Sequence, residues 1–259
     1  MAVTYEKTGH VVRLTLNRPE ALNAFNRDMH EELNAGFVRF REDPDAWVAI
    51  VTGAGDRAFS AGADVKEVGA LAESAEDRPS LWDSFYHIDL QAGLEVYKPV
   101  IAAVNGFCVG EGMTLILACD LRIAAAGATF AFPEVAVGTP TIVGAIRAPR
   151  VMGLGHALEL LLLGERRDAE WAYRTGLVNA VVPDEALMDK AEEWAERLCR
   201  VGPVATRATK EVAMRSLGMS FYDAVRMGEA MRRCANATED AKEGPRAFLE
   251  KRPPAFKGR

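Results

Sequence analysis

A glycine-rich turn in the middle of the chain carries the residue types with the clearest chemical potential. A run of small and β-branched apolar residues begins at Val100 and breaks at Asn105-Gly106, and an apolar segment of helical character follows the turn. A buried strand that passes through a glycine turn into a helix points bare backbone N–H groups at a ligand. The end of the turn holds the carboxylate of Glu111 and the hydroxyl of Thr114. The pattern predicts an anion-binding cradle whose chemistry depends on these two side chains.

A second segment repeats this arrangement earlier in the chain. The apolar run that includes Val48 ends in the glycine-containing turn Gly53-Ala-Gly55. Ligands of open α/β folds bind beyond the carboxyl ends of parallel strands. If the two strands are neighbours, we expect their turns to line one crevice.

The elements around these turns alternate between strands and helices up to about residue 182, and helices follow. From Asp184 onward one helix succeeds another, with breaks at Gly202-Pro203 and around Ser220. The last predicted helix runs from Thr238 to Lys251, and Gly244-Pro245 is a point at which it could be interrupted. This order predicts an α/β core with a helical C-terminal region. The two apolar runs above start at 47 and 100, and the other predicted strands are 11–16, 121–124, 129–132 and 177–182. The predicted helices are 28–40, 142–152, 156–163 and one between the N-cap Asp168 and Gly176. Between Glu67 and Pro99 we predict a lid followed by a helix.

Composition and charge are those of an ordinary globular chain of 259 residues with a formal net charge of −6. The acidic balance argues against a nucleic-acid partner. We expect no membrane partner, because no apolar run approaches the roughly 18 residues of a bilayer span, and the N-terminus lacks the features of a signal peptide. The four cysteines and four histidines show no metal-ligand spacing, so we expect no metal site and a reducing, cytoplasmic location.

An ordered set of motifs along nearly the whole chain resembles the crotonase (enoyl-CoA hydratase/isomerase) superfamily. The motifs are NRPEALN at 17–23, AFSAGADVKE at 58–67, AAVNG at 102–106, FPE at 132–134, GLVNAVV at 176–182, and the tail with FLEKR at 248–252. The resemblance implies a crotonase-like spiral of ββα units over residues 1–195, which holds the active site. It implies a helical region over 196–259 that serves in oligomerisation and coenzyme A contacts, and a homotrimer or homohexamer.

The same resemblance implies an enzyme that acts on acyl-CoA thioesters by stabilising an enolate. The backbone N–H groups of Ala63 and Glu111 would donate to the thioester oxygen, and an oxyanion hole of this kind typically contributes several kcal/mol. No resident cofactor is implied, since coenzyme A arrives as part of the substrate. The residues implied to bind substrate and coenzyme A are Ala61, Ala63, Asp64, Lys66, Gly110, Phe248 and Lys251, with the two lysines near the phosphates.

One of the two glutamates that hydratases of this family place across the acyl double bond is missing. The first belongs at position 114, where this chain has Thr114, and Glu134 occupies the position of the second, 20 residues later. A threonine hydroxyl can orient water but is not a base near neutral pH. A single carboxylate suffices to move a proton from C2 to C4 of a 3-enoyl thioester. We therefore favour an isomerase-type double-bond shift with Glu134 as the acid/base.

Two further departures from the family pattern concern Glu111 and the segment 138–147. Most relatives have glycine at 111, so a glutamate is strained there if the backbone needs a positive φ. The Glu111 carboxylate either turns into the pocket and replaces the missing acid or points away. The second arrangement is favoured, because an anion beside a forming oxyanion opposes it. The segment 138–147 is more apolar than the glycine-rich turn of relatives, which indicates an altered wall of the acyl pocket.

Other functions are compatible with the same motifs. A hydratase that holds its water through Thr114, Glu111 or a substrate group is the closest competitor. Thioester hydrolysis and decarboxylation of a malonyl-type thioester also need the oxyanion hole and not the missing glutamate. A coenzyme A-binding protein that has lost catalysis is a further alternative from a different class.

Overall fold

The computed structural model of the protein describes residues 1–64, 90 and 93–259. In these residues the strands are β1 (Val3–Thr8), β2 (Val11–Leu16), β3 (Val48–Gly53), β4 (Ala58–Ser60), β5 (Val100–Val104), β6 (Phe107–Val109), β7 (Leu121–Ala125), β8 (Thr129–Ala131), β9 (Arg167–Asp168) and β10 (Ala180–Val182). The helices are α1 (Arg27–Glu42), α2 (Glu111–Ala118), α3 (Val143–Met152), α4 (Leu154–Leu163), α5 (Ala169–Arg174), α6 (Leu187–Cys199), α7 (Pro203–Arg215), α8 (Phe221–Asn236) and α9 (Glu239–Leu249).

The strands form two sheets. The larger sheet has the order β1-β2-β3-β5-β7-β10 and is parallel except for the β1–β2 pair. The smaller sheet has the order β4-β6-β8-β9 and is parallel except for β8–β9. The chain runs from β3 to β4, from β5 to β6 and from β7 to β8, so each of these large-sheet strands is followed by a short strand of the small sheet. The architecture confirms the predicted α/β class with a helical C-terminal region.

The centre of the large sheet is formed by β3 and β5. Every residue of both strands is buried, which explains why their sequences are continuously apolar and not alternating. They are parallel neighbours, with Ala49 opposite Val100 and Thr52 opposite Ala103. Their turns therefore leave the same edge of the sheet, as the sequence predicted. Helix α6 contacts β3, β5 and β7, and the predicted division between residues 195 and 196 falls inside this helix.

Some short elements differ from the predictions. The strands β4 and β6 have three residues each and were not anticipated, and the predicted strand 177–182 is extended only over Ala180–Val182. The predicted last helix, Thr238 to Lys251, is confirmed as α9, and the interruption considered at Gly244-Pro245 does not occur, because α9 continues through Pro245. The C-terminal tail folds back onto this helix: Glu243 accepts hydrogen bonds from Arg252 and from the Ala255 N–H at 2.6 and 2.9 Å. Such contacts hold the helix in spite of the hydrogen bond that a proline removes.

None of the helices within the described ranges combines the length and apolarity that crossing a bilayer requires. In those same ranges, no group of three His, Cys, Asp or Glu side chains is arranged to hold a metal ion. The predicted lid and helix between Glu67 and Pro99 fall mostly outside the described residues, and they stay predictions.

Candidate active site

Two turns meet at one edge of the small sheet. Since β4 and β6 pair in parallel, the turns that follow them leave in the same direction. The first turn contains Gly62 with φ 92°, and the second contains Gly110 with φ 54°. A Cβ atom at Gly62 would lie 3.1 Å from the Val109 carbonyl oxygen and 3.6 Å from the Glu111 nitrogen. Glycine at position 62 thus allows the two backbones to approach closely.

Two asparagine side chains join the loops that lead into these turns. Asn105 donates to the carbonyl oxygens of Gly53 and Gly55 at 2.9 and 2.8 Å and accepts from the Gly53 N–H at 3.2 Å. The fully buried Asn23 donates to the carbonyls of Ala54 and Ala58 at 3.0 and 2.8 Å. The sequence analysis used both residues only as parts of motifs. Their amide groups satisfy backbone atoms at the end of β3, at the start of β4 and in the loop between them.

Within residues 1–64, 90 and 93–259, the backbone N–H groups of Ala63 and Glu111 form no main-chain hydrogen bond. Ala63 forms a bridge with Phe25, but the bonds of that bridge are Phe25 N–H to Gly62 O and Asp64 N–H to Phe25 O, each 2.8 Å. Glu111 is the first residue of α2, where an N–H has no acceptor within the helix. Positive φ occurs at Gly110 and not at Glu111, so the strain that a glutamate would suffer there does not arise.

Glu134 lies next to the second turn. It begins a 3-10 turn, Glu134–Val137, after β8. Its Oε1 would be 3.2 Å from a Cβ atom at Gly110, which places the carboxylate at the N-terminus of α2. The side chain is half-buried, and within the described part of the chain Oε2 has no hydrogen-bond partner. Burial raises the pKa of Glu134, and the nearby Glu111 carboxylate raises it further.

The order and spacing of these groups agree with a comparison against known protein families. The family described as enoyl-CoA hydratase/isomerase matches residues 6–259 of the chain. The protein belongs to the enoyl-CoA hydratase/isomerase family. This confirms the resemblance that the motifs indicated.

Individual members of the enoyl-CoA hydratase/isomerase family match the chain over its whole length. The (E)-benzylidenesuccinyl-CoA hydratase of Thauera aromatica is 38% identical, and the alignment covers 100% of both chains. The carnitinyl-CoA dehydratase of Citrobacter koseri is 39% identical, with 98% of each chain covered. Among solved structures, an enoyl-CoA hydratase from Bacillus anthracis has a TM-score of 0.93 at 35% identity and covers 100% of both chains.

In this family member, Thr114 is directed at its own helix. The residue is buried, and its Oγ1 lies 3.4 Å from the Gly110 carbonyl oxygen, which also accepts from the Thr114 N–H at 3.1 Å. A hydroxyl that bonds to the carbonyl four residues earlier is a common feature of threonine within a helix. Position 114 therefore supplies no carboxylate to the site. The Thr114 hydroxyl donates to the Gly110 carbonyl oxygen.

The carboxylate of Glu111 reaches helix α1. Its Oε1 lies 3.1 Å from Nε2 of His30, and the His30 ring packs against the ring of Phe25 with 5.2 Å between centroids. The predicted alternatives were a carboxylate turned into the pocket and one that points away; the His30 contact holds it against α1, while its charge still raises the pKa of Glu134. The sequence analysis did not single out His30, since no motif or spacing links a residue of α1 to a turn about 80 residues later.

The residues predicted to bind coenzyme A are only partly brought together. Ala61, Ala63, Asp64 and Gly110 lie in or beside the two turns, where the Ala61 N–H donates to Leu22 O at 2.9 Å and Arg18 pairs with Asp64 at 3.0 Å. Phe248 is 83% exposed at the end of α9, and Lys251 follows with φ 53°. Within the described part of this chain, no hydrogen bond or ion pair joins Phe248 or Lys251 to the turns. Lys66 lies outside the described residues.

The segment 138–147 continues directly from Glu134. The Thr139 N–H donates to the Glu134 carbonyl at 3.1 Å, and α3 begins at Val143. Gly144 packs so closely on Phe132 that an added Cβ would lie 2.6 Å from the ring. This contact accounts for the glycine at 144, whereas Ile142 and Ile146 of the same segment are exposed.

Proposed function

We propose that the protein acts on an acyl-CoA thioester through an enolate that the N–H groups of Ala63 and Glu111 stabilise. The observation that carries this proposal is the close approach of the Gly62 and Gly110 turns with the Glu134 carboxylate beside them. Negative charge on a thioester oxygen between two N–H donors would be stabilised by several kcal/mol. The N-terminus of α2 adds the favourable end of a helix dipole.

In this proposal, Glu134 moves the proton. A carboxylate with a raised pKa accepts a proton from carbon more readily than an ordinary glutamate does, because its driving force is larger. For a 3-enoyl thioester, Glu134 takes the proton from C2, and the electron pair moves onto the thioester oxygen as a dienolate. The same carboxyl group then returns the proton to C4, which leaves the double bond between C2 and C3. This isomerase-type shift needs a single acid/base.

Hydration is the second candidate reaction, and the names of the relatives favour it. The proteins from Thauera aromatica and Citrobacter koseri are named a hydratase and a dehydratase. Addition of water to this chain's substrate would require a water site other than a glutamate at position 114. The hydroxyl of Thr114 and the carboxylate of Glu111 are the groups available in the described residues.

A panel of CoA thioesters tests the proposal. With a 3-enoyl-CoA in D₂O, the double-bond shift gives the conjugated-enoyl absorbance and deuterium at C2 or C4. With a 2-enoyl-CoA, hydration removes that absorbance. Release of free coenzyme A would identify a thioester hydrolase, and release of CO₂ from a malonyl-type thioester a decarboxylase. Tight binding of all substrates with no turnover of any would contradict the proposed enzymatic function.

Replacing Thr114 by alanine separates the two candidate reactions. Because the hydroxyl bonds to its own helix, the double-bond shift should change by no more than about threefold, the factor that ~0.6 kcal/mol produces. Hydration that depends on a water held by Thr114 should instead fall at least about a hundredfold. Thr114→Ser, which keeps the hydroxyl, is the matched control and should behave like the wild type in both assays. Loss of the double-bond shift in Thr114→Ala would contradict the assignment.

The pH dependence of turnover should report the raised pKa of Glu134. The carboxylate must be ionised to accept a proton, so kcat/KM should fall as the pH falls through the pKa of Glu134. Because burial and the Glu111 charge raise that pKa, the acid limb should lie above the ordinary glutamate value of about 4.3. Glu111→Gln removes one of the two causes, so its acid limb should move to lower pH. A shift in the opposite direction in the pH profile of kcat/KM would be inconsistent with this electrostatic coupling.

The coenzyme A contacts are proposed from the motif positions. Ala61 and Ala63 would contact the adenine through their backbones, Lys66 and Lys251 would approach the phosphates, and Phe248 would pack on the coenzyme A; Asp64 and Gly110 are the further residues proposed to bind substrate. The exposure of Phe248 supports a role in which a ligand or a second chain covers this ring. No resident cofactor is proposed.

We also propose a homotrimer or homohexamer. Helix α8 has no buried residue, and large apolar side chains of the C-terminal helices are exposed, including Phe221 at 77%, Tyr222 at 79% and Leu249 at 80%. Exposed apolar surface of this kind is typical of protein interfaces. Light scattering after size-exclusion chromatography would measure the subunit number.

A cytoplasmic location is proposed from the four unpaired cysteines, and a function without nucleic acid or membrane from the acidic charge balance.

A further inference from the structure

Three acidic side chains border the two turns, and they differ in their partners. Asp64, next to Ala63, pairs with Arg18 at 3.0 Å. Glu111 contacts His30 at 3.1 Å. For Glu134, in contrast, the described residues provide no cation, and its Oε2 has no hydrogen-bond partner. The fold thus supplies a basic partner to Asp64 and Glu111, which transfer no proton in the proposed reaction. Within the described residues it supplies none to Glu134, the proposed acid/base.

The Glu111 carboxylate is the more consequential of the two paired acids. It belongs to the residue whose N–H is proposed to bind the enolate oxygen, and its charge is already felt at Glu134. An unneutralised anion at this position would oppose both the developing oxyanion and the ionisation of Glu134. A cationic partner for the Glu111 carboxylate would reduce both effects, and a held side chain would fix the distance of its charge from the site.

The surroundings of His30 suit it to that task. It lies in the first turn of α1, which is fixed by the Asn26 side chain accepting from the Met29 N–H at 3.0 Å and by the fully buried Met29 itself. The Phe25 ring packs on the imidazole, and Phe25 also forms the backbone bridge to Ala63. Phe25 consequently contacts both the His30 ring and the turn that contains Gly62 and Ala63. An imidazolium next to a carboxylate is stabilised in its charged form.

We propose that His30 is a positioning residue that pairs with the Glu111 carboxylate, offsets its charge and holds it against α1. This inference rests on the proposed function and deepens it. His30 does not act on the substrate; it acts through Glu111. Its contribution should therefore disappear when position 111 carries no charge, which a purely structural role of His30 would not predict.

A double-mutant cycle with His30→Ala and Glu111→Gln tests the proposal in the full-length protein. In the wild-type background, His30→Ala should lower kcat about tenfold, which corresponds to ~1.4 kcal/mol, with little change in KM. In the Glu111→Gln background the same replacement should change kcat by less than about twofold. The matched control is His156→Ala, which removes the histidine of another His–Glu pair, 3.8 Å apart on the surface of α4, and should leave kcat unchanged.

A second readout does not depend on turnover. Acetoacetyl-CoA is an enolisable 3-ketoacyl thioester whose enolate absorbs in the near ultraviolet, so the bound enolate fraction at fixed pH measures stabilisation of the anion directly. The fraction should fall in His30→Ala and recover in His30→Ala with Glu111→Gln. Equal losses in both backgrounds, or no loss in His30→Ala while the wild type shows a clear enolate signal, would overturn the role of His30 and leave the proposed function intact.

Two other results have different meanings. Loss of turnover in Glu111→Gln as severe as in Glu134→Gln would overturn the positioning role, because the Glu111 carboxylate would then itself be an acid/base. A wild-type protein that shows neither an enolate signal nor turnover of any substrate in the panel would overturn the proposed function, and the role of His30 together with it.

Discussion

Replacing Glu134 by glutamine should lower kcat for the double-bond shift about a thousandfold, which is within the range that a general acid/base typically contributes. The amide has nearly the size of the carboxylate but cannot accept a proton from carbon at any accessible pH. The binding turns should stay in place, so KM should change little. Stopped-flow or steady-state measurement of the conjugated-enoyl absorbance from 3-enoyl-CoA gives both constants.

A matched control is available on the surface. Glu165→Gln removes a carboxylate whose side chain is 62% exposed and which pairs with Arg167 at 3.2 Å, and this variant should retain the wild-type kcat. If Glu134→Gln were as active as Glu165→Gln, the acid/base assignment would be wrong. The enolate fraction of bound acetoacetyl-CoA adds a distinction, because the N–H groups of Ala63 and Glu111 do not depend on the residue at position 134. A large loss of turnover with a retained enolate signal would locate the defect in proton transfer.

The parts of the fold that the sequence predicted well are those that long apolar patterns determine. The continuous apolar runs of β3 and β5 predicted two buried strands, each followed by a glycine turn, and the structure shows that they are parallel neighbours. The C-terminal helices were predicted from their periodicity, and their breaks at Gly202-Pro203 and Ser220 coincide with the starts of α7 and α8. In these cases the local sequence and the tertiary packing favour the same structure.

The parts that could not be predicted depend on contacts between distant segments. Strands β4 and β6 have three residues each, too few for a periodic signal, yet they aim the turns that form the candidate site. The contact between His30 and Glu111 joins α1 to a turn in the middle of the chain. The hydrogen bond from the Ala255 N–H to Glu243 folds the C-terminal tail back onto α9, and no local pattern links these two residues. Candidate site residues could thus be proposed from motifs, whereas the pairing of individual charged side chains is visible only in the three-dimensional structure.

The second prediction with a large expected effect concerns Gly106, where the loop between β5 and β6 contacts the end of the loop between β3 and β4. A Cβ atom at this position would overlap with the backbone of Arg57, lying 2.6 Å from its carbonyl carbon and 3.0 Å from the Ala58 nitrogen. Neither neighbour is a flexible side chain, so Gly106→Ala can be accommodated only if β4 moves away from β6. Overpacking of this kind typically costs 1–3 kcal/mol, and we expect about 3 kcal/mol here because the contacts are with backbone.

The same displacement should reduce activity, because β4 and β6 lead directly into the turns of Ala63 and Glu111. Loss of one oxyanion donor typically lowers kcat by about 10²–10³, and we expect a decrease of at least about a hundredfold in Gly106→Ala at temperatures where circular dichroism shows the variant to be folded. Gly155→Ala is the matched control: this glycine lies in α4 with no atom within 4 Å of the added Cβ, so its stability should rise by up to about 1 kcal/mol and its kcat should not change. Denaturant unfolding measures the change in stability, and the enolate fraction of bound acetoacetyl-CoA measures the change in enolate stabilisation. A Gly106→Ala protein that is destabilised but retains its full enolate signal would show that the approach of the two turns does not depend on the contact between Gly106 and Arg57.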